Sequence, residues 1–495
     1  MTDAASGPPL AASAHREPRS SLISSTQRDI DRSQYPLHHV ALRVSYFGSK
    51  HDGLAHQVSS ANTVEHHLFE ALRRLKLVPP PGSPKDPRLA TTIVRLRQRS
   101  AADVEDGEDD GTAAKREEDR VGVAVQEERR DQLDGEASTR MPPETTPDTS
   151  PFPPGYSRCG RTDKGVSALG NCVSLALRGN KGGQPAPQYA AMLNRVLPPT
   201  VRITAWSYVP PEFDARFSCR SRTYRYFFPS HYWCAQRLTL RPLDLDRMRA
   251  AAATLLGRHD FRNFCKMDLV SVRHFVREIF VADILRMPAI GEAMLTGDED
   301  KGGTATSSSS TMMCLHIKGS AFLYHQIRCI MAVLLRVGRG VEDESVVSAL
   351  LDVTQQPTKP VYALADPQPL VLWDCEFDEQ AVTWKYDPDS TEPLLQHWAD
   401  CWERDTVAAT LAAQMSTQLL AAYHGDTCAP HMASGIGNPA QLVAARSRMT
   451  CRGPADVPLL SRPRELSFEA KLAAMKGGKK RRREDNLAKG AATAP

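Results

Sequence analysis

Asp163 stands between two cations and two glycines in Gly160-Arg161-Thr162-Asp163-Lys164-Gly165-Val166, the grouping in this chain best suited to chemistry. A free aspartate titrates at about pH 4, so this side chain is an anion at neutral pH. Arg161 and Lys164 beside it favour the charged form. The glycines let a bulky ligand approach the backbone. Such a carboxylate could serve as a nucleophile facing a phosphate-rich substrate. The same residues also make an ordinary charged turn, and local chemistry alone does not choose between the two.

Other groups could join it. Tyr224 lies in the cationic, aromatic run Arg222-Thr223-Tyr224-Arg225-Tyr226, where period two puts Tyr226 on the same strand face. Arg328 sits among apolar helix neighbours, so it must either snorkel outward or meet an anion. A bidentate pair with Asp163 would orient the carboxylate and hold it charged. The plainer readings are a strand aromatic packed in the core and an arginine on a helix surface. Arg158, Arg161, Lys164, Arg216, Arg220, Arg222 and Arg225 form a basic cluster for RNA phosphates, and Phe213, Phe217 and Tyr224 could stack on unpaired bases. The cluster, not any one member, carries that reading.

Metal and cofactor signals point the other way. The pairs His38-His39 and His66-His67 lack a ligand partner at useful spacing, and H-E-x-x-H, a Walker loop and G-x-G-x-x-G are absent. The 11 cysteines contain no C-x-x-C, which argues for reduced thiols over a disulfide framework or a zinc site. No metal and no cofactor are expected.

The run from Tyr156 to Ala168 resembles the signature of the TruA-type tRNA pseudouridine synthases. Four further blocks are similar to that family in the same order: Ala41 to Gln57, Phe213 to Phe228, His259 to Asp268, and His316 to Gly340. Asn263-Phe264-Cys265-Lys266-Met267-Asp268 and Phe322-Leu323-Tyr324-His325-Gln326-Ile327-Arg328-Cys329 look most like the eukaryotic branch, which acts on tRNA positions 38 and 39. The resemblance implies that Asp163 is the catalytic carboxylate, Tyr224 the active-site tyrosine and Arg328 the arginine that orients Asp163. It also implies tRNA as partner and a homodimer. Retaining glycosidases show how a carboxylate can attack an oxocarbenium-like centre. Attack on C1′ and formation of a glycal remain equally open here. Arg161 is the candidate to fill the space of an extruded base. Relatives usually carry aromatics where Ser49, His51 and Leu54 stand, and Gln-Val where this chain has Asn171-Cys172.

These residues need elements to hold them. The 495-residue chain is 41% hydrophobic and 24% charged, enough for a sizeable core in two or three domains. A net charge of +4 proves nothing about nucleic acid by itself; the distribution matters more. No apolar run reaches the roughly 18 residues of a membrane span. Residues 1–36 read as a disordered leader without a secretory h-region, and Asp3 and Glu17 weigh against a mitochondrial one. Lys479-Lys480-Arg481-Arg482-Arg483 leans towards nucleus plus cytoplasm.

Residues 37–228 form an N-terminal catalytic half. It opens on a strand in which Val40, Leu42, Val44 and Tyr46 alternate, followed by a capping box at Asn62-x-x-Glu65 and a helix. Residues 79–153 interrupt it with a charged, proline-bounded insertion predicted to be disordered. Residues 229–378 form the second half, broken by a flexible loop at 291–311. Helices are predicted over 188–197, 244–256, 324–337 and 343–351. Residues 379–495 make a poorly defined extension with helices near 395–423. The expected fold is α+β: two related sheet-and-helix halves around a central, mainly antiparallel sheet with the active-site cleft between them. The expected function is uridine-to-pseudouridine isomerisation in the tRNA anticodon stem-loop. A non-catalytic tRNA-binding protein on the same fold is the alternative, and a base-releasing N-glycosidase a lesser one.

Overall fold

The computed structural model describes residues 34–81, 151–182, 184–234, 239–268, 274–287, 312–424 and 457–475, with residues 31, 83 and 272 besides. Most of the leader and of the 79–153 insertion, the 291–311 loop and the basic run 479–483 lie outside the described residues.

Among the described residues, one nine-stranded sheet runs through both halves in the order β4-β1-β3-β11-β5-β10-β9-β8, with β2 also paired to β3. Its strands are β1 (Leu37–Tyr46), β2 (Ser157–Arg158), β3 (Ser167–Arg178), β4 (Val201–Tyr208), β5 (Ser221–Pro229), β8 (Gly257–Asp260), β9 (Val276–Arg286), β10 (Met312–Gly319) and β11 (Leu370–Glu376). The short pair β6 (His231–Cys234) and β7 (Thr239–Pro242) stands apart. Every pairing in the large sheet is antiparallel except that of β11 with β3. The mixed, mainly antiparallel α+β architecture is the one the sequence predicts.

Each half has its own core. The first gathers β1, β3 and β4 with α1 (Val64–Arg74) and α2 (Tyr189–Asn194). The second gathers β5, β9 and β10 with α3 (Leu245–Ala253), α4 (Gln326–Gly338) and α5 (Ser345–Leu351). Tyr224 packs against both. On β1 the alternating Val40, Leu42, Val44 and Tyr46 are buried as expected, but so are Ala41 and Ser45. An interior strand covered on both faces loses the polar half of its alternation.

Two local expectations are corrected. Asn62 and Glu65 do not form a capping box: Thr63 is the N-cap, its hydroxyl accepting from the His66 N–H at 3.2 Å. Glu65 thus falls one place short of the position from which it could reach back. It is instead fully buried, taking the His56 N–H and the Tyr156 hydroxyl at 2.7 Å each, and the Arg158 guanidinium. The helix predicted from Tyr324 begins at Gln326, because His325 adopts a left-handed backbone with φ 62°. Along it Ile327, Ile330, Met331, Leu334 and Leu335 are buried, and so are Cys329, Ala332 and Val333.

A long helix, α6 (Pro388–His424), follows the sheet. Asp387, just before it, accepts the Ala190 and Ala191 N–H groups at the start of α2 and the Trp206 indole N–H at 2.7 Å. One carboxylate therefore caps α2 and ties α6 to the first core.

Candidate active site

The hairpin of β2 and β3 carries the loop 159–166 that presents Asp163. Gly165, at φ +88°, and a Val166 N–H to Asp163 carbonyl bond of 3.1 Å turn the chain into β3. Asn171 clamps the loop from beneath. Its Oδ1 accepts the Gly160 N–H at 3.2 Å and the Cys172 N–H at 2.9 Å, and its Nδ2 donates to the Gly160 carbonyl at 3.0 Å and to Tyr46 Oη at 3.2 Å. Tyr46 Oη in turn lies 2.7 Å from Thr162 Oγ1. These groups are buried and mutually satisfied, the arrangement in which a polar network rigidifies its surroundings. From the side, Leu54 N–H donates to the Thr162 carbonyl at 3.2 Å. A side chain on Gly53, at φ +99°, would sit 3.2 Å from backbone atoms of Thr162 and Lys164. Only glycine lets the two loops meet so closely.

Asp163 keeps 24% of its side chain exposed. Burial pushes its carboxyl group up from the ordinary aspartate range, while Arg328, Arg161 and Lys266 pull it down in that order. The flanking-cation expectation is therefore half met. Arg161 acts on the carboxylate through its charge, but Lys164 pairs with Asp52 at 2.6 Å. Arg328 does not form the expected bidentate pair with Asp163. Its Nε donates to the Ala365 carbonyl at 2.8 Å, and Ala365 N–H returns a bond to the Arg328 carbonyl at 3.2 Å. Starting the helix at Gln326 leaves Arg328 in its first turn, where the 361–367 segment claims its Nε and it acts on Asp163 through charge.

His325 is the nearer neighbour. Its Nε2 stands 3.3 Å from Asp163 Oδ2. Burial, then the charges of Arg328, Lys266 and Lys359, drive its pKa down to about 4, so the ring is neutral at physiological pH and the contact is no ion pair. The Tyr324 ring lies against it with centroids 3.8 Å apart. A non-glycine residue in the left-handed region costs on the order of 1–3 kcal/mol, and such strain collects at functional sites.

Tyr224 sits on β5 between Ile317 of β10 and Leu372 of β11. Its ring meets Phe322 edge-on at 5.3 Å, and its hydroxyl is 3.8 Å from where a side-chain carbon on Gly160 would stand. Burial raises its pKa, with the nearby Cys375 and Cys159 adding to that, so the phenol keeps its proton. The structure thus brings the Asp163 loop, Tyr224, Arg328 and His325 to the junction of the two cores. Tyr226, the second tyrosine of that face, is fully buried in the second core.

The basic candidates divide by what they touch. Arg158 is held by buried Glu65. Arg222 turns inward, donating to the carbonyls of Ser320 and Arg216 at 2.7 Å each. Arg225 lies over the Trp373 ring at 3.7 Å. Arg220 pairs with Asp378 at the surface. Arg161 and Arg216 are exposed, and Arg216 covers Phe217, itself 57% exposed. Phe213, expected as a stacking surface, is instead buried in the first core.

Sequence reasoning gave no role to His325, Lys266 or Asn171. His325 stands just outside the helix in a left-handed turn, a placement that hydrophobic period does not signal. Asn171 is separated from Gly160 along β3 and carried no local pattern.

Residues 251–378 match the family described as tRNA pseudouridine synthase. Over 408 residues the chain is 33% identical to the Homo sapiens protein named tRNA pseudouridine(38/39) synthase, an alignment covering 79% of this chain and 66% of that protein. The Bos taurus protein of the same name is 32% identical over 417 residues, covering 81% of this chain and 68% of that protein. The Saccharomyces cerevisiae protein of that name is 37% identical over 235 residues, covering 45% of this chain and 46% of its own length. The matched region thus spans about two thirds of the two mammalian relatives and about half of the yeast one.

Proposed function

Because the chain belongs to the tRNA pseudouridine synthase family, we propose that it isomerises uridine to pseudouridine in the tRNA anticodon stem-loop, at positions 38 and 39, with Asp163 as catalytic carboxylate. The observation that carries this reading is the setting of Asp163. It is a partly buried carboxylate on a clamped loop, its anionic form favoured by the charges of three cations, with a protonated tyrosine beside the loop. The named position of the curated relatives supports the choice of 38 and 39.

The isomerisation breaks N1–C1′, joins C5 to C1′, and ends with the C5 proton lost and one gained at N1. No electrons are transferred overall. Asp163, as the anion, works on the ribose, either at C1′ or by way of a glycal. Arg328, Arg161 and Lys266 favour that anion and offset the cost of holding it out of water. Neutral His325 packs against the carboxylate, its Nε2 3.3 Å away. Tyr224 supplies a face for the detached base and a hydroxyl for the late proton transfer. A stem base must first leave its stack, which costs a few kcal/mol. Arg161, exposed beside Asp163, is placed to fill the gap, and Arg216 with Phe217 offers charge and stacking to the RNA. Substrate binding supplies the positioning.

A homodimer is part of the reading. Val407, Leu411, Met415 and Leu419 recur every fourth residue along α6 and are all exposed, an apolar stripe of the kind a second copy would cover. Residence in nucleus and cytoplasm is supported by the run Lys479–Arg483. Alanine replacement of that run in a fluorescent fusion should deplete the nuclear signal.

The test is a pseudouridine map of cellular tRNA with and without Asp163→Ala. Loss of modification at 38 and 39 with retained tRNA binding is expected. An unchanged map would refute catalysis by Asp163, and release of free uracil would identify an N-glycosidase instead.

A further inference from the structure

Three cysteines far apart in sequence converge beside the catalytic loop. The Sγ atoms of Cys159, Cys219 and Cys375 all lie within 4.8 Å of one another, and each residue is at least nine-tenths buried. None is in a disulfide. The fold makes the cluster. Cys159 follows β2, its N–H bonded to the Cys172 carbonyl at 2.8 Å. Cys219 ends the turn that enters β5, and Cys375 lies on β11 as the register partner of Arg222. The scattered spacing that argues against a metal in the linear sequence says nothing about sulfurs brought together by a nine-stranded sheet.

We propose that Cys159, Cys219 and Cys375 bind one thiophilic d10 metal ion, Zn2+ or Cu+, through three thiolates. At a Zn–S distance of about 2.3 Å, a tetrahedral site spaces its sulfurs by about 3.8 Å. The cluster needs to contract by at most about 1 Å to reach that, within the reach of side-chain rotation. A trigonal Cu+ site needs a similar spacing and no fourth ligand; zinc takes a water or small anion in the fourth place. Thiolate sulfur is the donor class that selects these ions. Binding releases the three thiol protons to solvent and, for zinc, leaves one net negative charge. Arg222 is placed to balance it: its Nη1 donates to the Cys219 carbonyl at 3.4 Å, and it faces Cys375 across the β5–β11 pair.

The consequence is mechanical. Cys159 adjoins Gly160 at the root of the Asp163 loop, while Cys219 and Cys375 flank the strand bearing Tyr224. A metal here fixes the spacing of two active-site groups without touching substrate. Metal binding at this site does not depend on which uridine is the target.

The test uses the full chain purified without chelator and analysed for metal. About one equivalent of zinc or copper per chain is expected, falling to about a tenth or less in Cys219→Ser/Cys375→Ser and unchanged in Cys314→Ser, a buried thiol outside the cluster. Zinc or copper in the wild-type protein decides between the two ions. A second measurement does not depend on how the variant folds. Co2+ added to metal-free wild-type protein should give intense sulfur-to-cobalt charge-transfer absorption together with d–d bands of a tetrahedral site. The proposal is overturned if wild-type protein holds neither metal and shows no such absorption. It is equally overturned if the double variant keeps its metal, or if mass spectrometry of the unreduced chain finds two of these cysteines joined as a disulfide. Pseudouridine formation is scored separately, so a metal-free but active protein would refute only this site.

Discussion

At the scale of single residues, Asp163 is held where its charge is costly and useful at once. Burial lifts its pKa, and Arg328, Arg161 and Lys266 oppose the lift. The acid limb of the kcat–pH profile should therefore lie above the ordinary aspartate range. Removing a cation removes a force that lowers the pKa, so Arg328→Gln should move the limb to still higher pH as well as reduce kcat. A limb that stays put would show that Arg328 does not act on Asp163 through charge. The same shift has a stability side. A carboxyl group whose folded pKa is raised favours the fold below its unfolded pKa, and that contribution is lost as pH rises through the folded value. At neutral pH the anion thus costs stability, as functional groups often do. Asp163→Asn should abolish turnover yet raise the melting temperature by about 1–4 °C at neutral pH, the gain vanishing below about pH 4. A lower melting temperature at neutral pH would contradict the direction assigned to burial.

Elements explain why these residues meet, and here the limits of the sequence are physical. The β1 strand and the helix that becomes α4 are legible because hydrophobic period is a local signal. The capping box was misread by one residue, since Thr63 and Asn62 are both good caps and only packing decided. The expected Arg328–Asp163 pair is not found because the helix starts late, after a left-handed His325 that hydrophobic period does not signal. Asn171 stands out in the sequence only as a departure from relatives; its role is hidden because its partners Gly160 and Tyr46 belong to other segments. Asn171→Ala would leave the buried Gly160 N–H without its acceptor, a loss of about 1–3 kcal/mol. The expected outcome is a lower melting temperature and a fall in kcat larger than any change in KM for tRNA, because the loop and not the RNA surface is loosened. Unchanged kcat would mean that the clamp does not set the loop.

For the whole molecule, one sheet joins two cores and the candidate site lies on their seam, with Tyr224 packed against both. That arrangement lets a large RNA reach a partly buried carboxylate without entering either core. The exposed stripe on α6 belongs to this scale as well, since four apolar residues in register are a liability unless covered. Leu411→Glu/Met415→Glu should convert a dimer to a monomer in light scattering. If the wild-type protein is already monomeric at micromolar concentration, the stripe has another use.

The most direct test of Asp163 as the catalytic carboxylate follows the C5 hydrogen itself. Purified protein is given tRNA carrying tritium at C5 of its uridines, and tritium release to water is measured alongside the position modified. The expected result is about one tritium released per pseudouridine formed, at positions 38 and 39, by the wild-type chain, and none by Asp163→Asn with tRNA affinity retained. Release at the wild-type rate by Asp163→Asn would contradict it.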